Sequence, residues 1–201
     1  MDDLERRLKE HELPGGAPEA TLTSVAQRAE REGLVDVAYT TVDSPMGDLL
    51  LAATPVGLAR VAYPLNGFDS VLAELARRLS PRVVEAPARL DRVRRELDEY
   101  FEGSRREFDL ALDLSVASGF SRRVLEATAR IGFGEQASYR EVARAAGSER
   151  AVRAAGSALG RNPVPVVVPC HRVLRTGGGL GGYTGGLDKK RFLLDLEGLE
   201  V

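Results

Sequence analysis

Asn162-Pro163-Val164-Pro165-Val166-Val167-Val168-Pro169-Cys170-His171-Arg172-Val173 is an apolar, proline-studded run. It ends on the only cysteine of this 201-residue chain, beside one of its two histidines. A lone free cysteine reads first as a small buried core residue, chemically inert. The neighbour points elsewhere. Sulfur is a good nucleophile only as thiolate, and imidazole is the usual group that takes its proton. Asn-Pro-x-Pro leading into Pro-Cys-His-Arg-Val is also far more specific than a bare cysteine–histidine pair.

Outward from that run, the charge is unevenly spread. Residues 119–201 carry 13 Lys+Arg against 8 Asp+Glu, or +5, and residues 1–118 carry the other 15 and 22, or −7. The basic half holds the cysteine motif, and a modest positive patch there suits phosphate contacts. A single cysteine excludes an internal disulfide and a cysteine-rich zinc site; no metal and no cofactor is expected for the chemistry. No apolar run is long enough to span a bilayer, and the first residues are charged rather than signal-like. With a free thiol, this predicts a cytoplasmic protein with no membrane contact.

The spacing of turn and apolar residues divides the chain. Residues 1–32 read as an extension: a charged helix, a Pro14–Pro18 break, and a short helix capped by Thr23 or Ser24, with His11 a surface residue. Residues 33–112 read as an α/β domain. Strands over Val35–Tyr63 are broken by Ser44-Pro45-Met46-Gly47 and Thr54-Pro55-Val56-Gly57. Helices follow over Phe68–Leu79 and Leu90–Phe101, then a short strand or connector at Phe108–Leu112. Residues 113–201 read as a mainly helical domain. Phe120, Val124, Leu125, Thr128 and Ile131 share a helix face. Ser138-Tyr139-Arg140-Glu141 is a capping box opening a helix to Ala146. Gly147-Ser148 turns the chain, and Ser148 is placed to cap a helix through Leu159. Helix, glycine turn, helix is the outline of a helix-turn-helix. Its second helix, Ala151-Val152-Arg153-Ala154-Ala155-Gly156-Ser157-Ala158-Leu159, offers almost nothing to read base edges. Such small residues suit close packing in a core or close approach to a minor groove.

The motif around Cys170, with these helices, resembles the O6-alkylguanine-DNA alkyltransferases, also called methylated-DNA–protein-cysteine methyltransferases. The likeness is strong over residues 120–198, weaker over 37–63, and absent from the first thirty or so. It implies a small antiparallel sheet with helices, ribonuclease-H-like, followed by a winged helix-turn-helix-like domain. It implies irreversible, stoichiometric transfer of an alkyl group, chiefly methyl, from guanine O6 in double-stranded DNA to Cys170, by a monomer. A weaker activity on O4-alkylthymine is a further implication. His171 would act as base through a water, with Glu197 orienting it and Asn162 organising the turn before Cys170. Tyr139 would crowd the 3′ phosphate and protonate the departing guanine. Ala151, Arg153, Ala154, Gly156 and Ser157 would enter the minor groove, Arg153 filling the gap of a flipped base. Leu159, Val173, Tyr183 and Thr184 would form the base pocket.

Gly177-Gly178-Gly179-Leu180-Gly181-Gly182 fits a dinucleotide-binding pattern, but the strand, helix and crossover that pattern needs are missing. It reads instead as a loop closing over the base. Asp188-Lys189-Lys190-Arg191 opens a last helix, with Phe192, Leu193 and Leu196 facing the core. The rival reading is a non-enzymatic module that binds alkylated bases and flags them for another pathway. Such modules lack the acceptor cysteine. A methylation-sensing regulator or a turnover cysteine hydrolase fits less well.

Overall fold

The computed structural model describes residues 28–29 and 32–199. The expectations for residues 1–27, including the Pro14–Pro18 break, the Thr23 or Ser24 cap and the placement of His11, lie outside the described residues. The described residues divide into two units, one ending at Leu34 and the other beginning at Val35. In the first, Arg28 pairs with Glu32 one helical turn on, at 2.8 Å.

In the second unit the two predicted turns set up a meander. Strands β1 (Val37–Val42), β2 (Leu49–Ala53) and β3 (Leu58–Ala62) pair antiparallel, Ala38 opposite Ala53 and Leu51 opposite Val61. Gly57 is required where it stands. A Cβ there would collide with the Ala111 carbonyl, which accepts the Leu58 N–H at 2.8 Å. The Phe108–Leu112 connector thus runs against β3, its end bridging Leu58.

The sheet is mixed rather than wholly antiparallel. Its fourth strand, β4 (Val83–Glu85), lies parallel to β1, giving the order β3-β2-β1-β4. The cause is helix α1 (Phe68–Arg78). A crossover carries the chain back so that it re-enters the sheet in the direction of β1, which a tight hairpin cannot do. Side chains alternate across the sheet. Leu50 and Ala52 pack with Val71 and Leu75 of α1 on one face. Leu49 and Leu51 pack on the other with Val93, Leu97 and Tyr100 of helix α2 (Asp91–Phe101).

Helices α3 (Gly119–Thr128), α4 (Tyr139–Ala145) and α5 (Val152–Leu159) pack around Val124, Val142, Ala143, Ala155 and Ala158. The capping box of α4 forms as expected: Ser138 Oγ accepts the Glu141 N–H at 3.2 Å, and the Glu141 carboxylate accepts the Ser138 N–H at 2.7 Å. Ser148 does not cap α5. The preceding turn consumes its backbone instead, its carbonyl accepting from Ala151 N at 3.0 Å, and α5 begins without a side-chain cap. Short strands β5 (Ala137–Ser138) and β6 (Val173–Leu174) pair in parallel, tying the entrance of α4 to the residues just past the cysteine motif. Helix α6 (Leu187–Leu196) closes the chain, burying Lys190, Leu193 and Leu194.

The proline run is not extended along its length, as its prolines alone suggest. It folds back on itself: Val168 N–H reaches Val164 O at 2.9 Å, and Val166 sits at φ +74. A β-branched residue there is strained by roughly 1–3 kcal/mol and persists only where its surroundings enforce it.

Candidate active site

Asn162 is the enforcing group. It lies three residues past the end of α5, donating from Nδ2 to Val168 O at 2.8 Å while Oδ1 accepts from Val164 N at 3.1 Å. One buried side chain therefore pins both ends of the reversed turn, and the turn delivers Cys170 to the first position of a 3-10 turn, Cys170–Arg172. Cys170 is only 5% exposed. Burial pushes its thiol up to about 11, against a hydrogen bond from Asn162 and the positive charge of Lys190. At neutral pH it is a thiol, needing a base at the moment of reaction.

His171 is fully buried, with Nε2 2.9 Å from Glu197 Oε1. Glu197 stands at the C-terminal cap of α6 and gathers donors. Tyr100 Oη donates to Oε1 at 2.6 Å, Arg172 donates to both oxygens at 2.8 and 2.9 Å, and Gly134 N reaches Oε2 at 3.3 Å. Burial alone would raise this carboxyl; the bonds from His171, Arg172 and Tyr100 outweigh it and hold the group at about 2. An ionised carboxylate only accepts, so Nε2 carries the imidazole proton. Nδ1 is then the lone-pair nitrogen, and it is buried without a partner among the described residues. Burial also pushes His171 below its ordinary pKa, so the ring rests neutral, with a base atom free.

In front of this buried group lies a pocket of about 540 Å³. Tyr139, Arg153, Gly156, Leu159, Cys170, Tyr183 and Thr184 line it, together with Gly160, Arg175, Gly181 and Gly182. The glycine loop closes tightly over Tyr139: a Cβ at Gly181, where φ is +68, would lie 2.5 Å from the phenol oxygen. Burial raises the Tyr139 phenol above its ordinary pKa, keeping it a proton carrier. Tyr183 shares a hydrogen bond with Tyr63 of the sheet domain, oxygen to oxygen 2.8 Å. The Thr184 hydroxyl donates to Gly160 O at 3.2 Å.

Most of the residues singled out in the sequence converge here. Val173 does not line the pocket. It is wholly buried in β6, in the core cluster that includes Val124, Val142 and Ala143, and its carbonyl accepts from the Lys190 ammonium at 2.7 Å. On α5, Arg153 and Gly156 face the pocket, Ala154 and Ser157 are exposed beside it, and Ala151 is half-buried at the helix start.

Four participants were not foreseen: Tyr100, Arg172, Lys190 and Tyr63. Lys190 is fully buried and also donates to Leu180 O of the glycine loop; burial lowers its ammonium to about 8. A signal for it existed, since Lys190 lies three and four residues before Leu193 and Leu194 on the apolar face of α6. Arg172 stood inside the motif with no role assigned. Tyr63 and Tyr100 fall within an expected strand and an expected helix with nothing local to mark them, and only tertiary structure brings Tyr100 to a carboxylate 97 residues away.

Two family profiles match the chain: 6-O-methylguanine DNA methyltransferase, ribonuclease-like domain, over residues 37–114, and 6-O-methylguanine DNA methyltransferase, DNA binding domain, over residues 119–199. The methylated-DNA–protein-cysteine methyltransferase of Mycolicibacterium paratuberculosis is 41% identical over 169 residues, covering 80% of this chain and 92% of the relative. The constitutive enzyme of that name from Bacillus subtilis is 35% identical over 163 residues, covering 79% of this chain and 94% of its own. Among solved structures, the O6-methylguanine methyltransferase of Mycobacterium tuberculosis superposes with a TM-score of 0.70 at 37% identity, covering 80% of this chain and 92% of that one. The Mycobacterium tuberculosis OGT in complex with DNA gives 0.68 at 38% identity with the same coverage. With most of the described fold matched by these relatives, the chain belongs to the 6-O-methylguanine DNA methyltransferase family.

Proposed function

We propose that this protein repairs DNA by direct reversal, moving an alkyl group, chiefly methyl, from guanine O6 to Cys170. The observation that carries the reading is the order of groups behind the pocket: a buried thiol, a neutral histidine, and an ionised carboxylate holding that histidine in one tautomer. In the reaction a water bridges Cys170 Sγ and His171 Nδ1 and relays the thiol proton to the ring. Glu197 stabilises the imidazolium that forms. Sulfur attacks the alkyl carbon, the S–C bond forms as the C–O6 bond breaks, and the electron pair leaves with guanine. Tyr139 supplies a proton to guanine N3 and recovers one from solvent, while the His171 imidazolium returns the thiol proton to solvent through the bridging water. The product is a thioether, which has no carbonyl for water to attack. The thiol is not regenerated, and each molecule acts once.

The lesion must leave the base stack to reach a sulfur this buried. The small residues of α5, Ala151, Ala154, Gly156 and Ser157, let its backbone approach the minor groove, and Arg153 fills the space of the flipped base. Tyr139 crowds the 3′ phosphate. Leu159, Tyr183 and Thr184 hold the base, with Val173 supporting from behind. Residues 33–112 serve as a scaffold domain and 113–201 as the DNA-binding and acceptor domain. The protein acts as a monomer in the cytoplasm.

Intact-protein mass spectrometry after mixing with an O6-methylguanine duplex tests this. One methyl in place of the thiol hydrogen, mapped to Cys170 and saturating at one per protein, is the expected result. An unmodified protein that still binds the lesion would establish the damage-flagging reading instead.

A further inference from the structure

Two arginines line the pocket, and no carboxylate does. Arg153 is used by the reading above and Arg175 is not. Arg175 leaves β6 and opens a tight turn. Its carbonyl accepts from Gly178 N at 3.0 Å, and its own N–H donates to Gly179 O at 2.7 Å. These bonds fix where its side chain departs. The stem then runs along the bare face of Gly179, where a Cβ would stand 3.6 Å from Arg175 Cδ. The residue is exposed, and no ion pair holds it among the described residues. Its charge reaches two groups of the site. At Tyr139 it opposes the upward push of burial, and at Lys190 it adds to the downward one. A guanidinium that is exposed, anchored at its base and uncompensated by any acid is arranged to meet an anion. Its planar fork matches a phosphate in particular.

We propose that Arg175 binds a phosphate of the DNA backbone adjoining the extruded nucleotide, from the glycine-loop side, while Arg153 acts from α5. This inference rests on the alkyltransferase reading. It makes the loop a DNA contact in its own right and not only a cover for the base.

The test measures affinity for an O6-methylguanine duplex across a salt series, with Cys170→Ala as the parent so that no transfer intervenes. A methylphosphonate is placed at one phosphate at a time on either side of the lesion. Adding Arg175→Ala should weaken binding by roughly tenfold at low salt and reduce the salt slope by about one. Arg175→Lys should restore the slope. One methylphosphonate beside the lesion should reproduce the loss in the parent and add nothing to Arg175→Ala. An unchanged slope, or losses that add at every phosphate, overturns the contact. Methyl transfer by the Cys170-intact protein on the same duplexes is scored separately. Its absence would sink the alkyltransferase reading, while the phosphate contact stands or falls on the coupling alone.

Discussion

Glu197 is met by a phenol, a guanidinium, an imidazole and a backbone amide, and that crowd sets the acid sensitivity of the protein. Its folded pKa of about 2 lies below the ordinary 4.5. The stability it contributes is therefore complete above pH 4.5 and drains away as pH falls toward 2. His171 has the same sign. Its folded pKa lies below the ordinary 6.5, so the unfolded chain binds protons first and stability begins to fall below pH 6.5. Urea titrations across pH should show both declines, and Glu197→Gln should remove the lower one. Asn162→Ala leaves Val164 N unpaired, takes from Val168 O one of its two donors (the Cys170 N–H remains, at 2.8 Å) and frees the strained Val166 turn. It should cost roughly 1–3 kcal/mol, read as a lower urea midpoint at unchanged slope. Cys170, His171 and Asn162 were legible in sequence because their neighbours are so distinctive, whereas Glu197, on local grounds an ordinary surface glutamate at a helix end, followed only from the family resemblance. Tyr100 was not, because nothing local distinguishes a core tyrosine from one whose hydroxyl ends on a carboxylate.

At the scale of elements, α5 carries a conflict between stability and use. A methyl at Gly156 would sit in ordinary contact, 3.7 Å from the Tyr139 ring. Gly156→Ala should therefore fold well and gain up to about 1 kcal/mol from helix propensity. The same methyl projects into the pocket, so repair of a duplex should slow even as the melting temperature rises; equal or faster repair would mean the pocket does not need that space. Arg153→Ala should slow repair of duplex DNA more than reaction with a free alkylguanine base. Equal losses would deny it a part in extrusion. Helices and hairpins were legible because amphipathic spacing and turn residues are local signals. The parallel β4 and the reversed proline turn were not. The first depends on where a crossover helix returns the chain, and the second on an asparagine whose two bonds close only in three dimensions.

Across the whole molecule, the sheet domain is more than a support. Tyr100 of α2 reaches Glu197, and Tyr63, just past β3, reaches Tyr183, so two lines of hydrogen bonds run from the acidic half of the chain into the site of the basic half. Adding a methyl to a sulfur this enclosed should strain that packing by roughly 1–3 kcal/mol. The methylated protein should melt below the free one in calorimetry, and an equal or higher melting temperature would contradict this.

The depth of Cys170 also bears on what the protein ignores. A sulfur kept protonated and out of solvent is a poor target for peroxide, disulfides and soft electrophiles, all of which need an accessible thiolate. For a reagent that can be spent only once, that reluctance is chemoselectivity: the molecule stays chemically silent until a flipped base brings the alkyl carbon to it. Slow labelling of the free protein by iodoacetamide, next to fast reaction with lesion-bearing DNA, would be its signature.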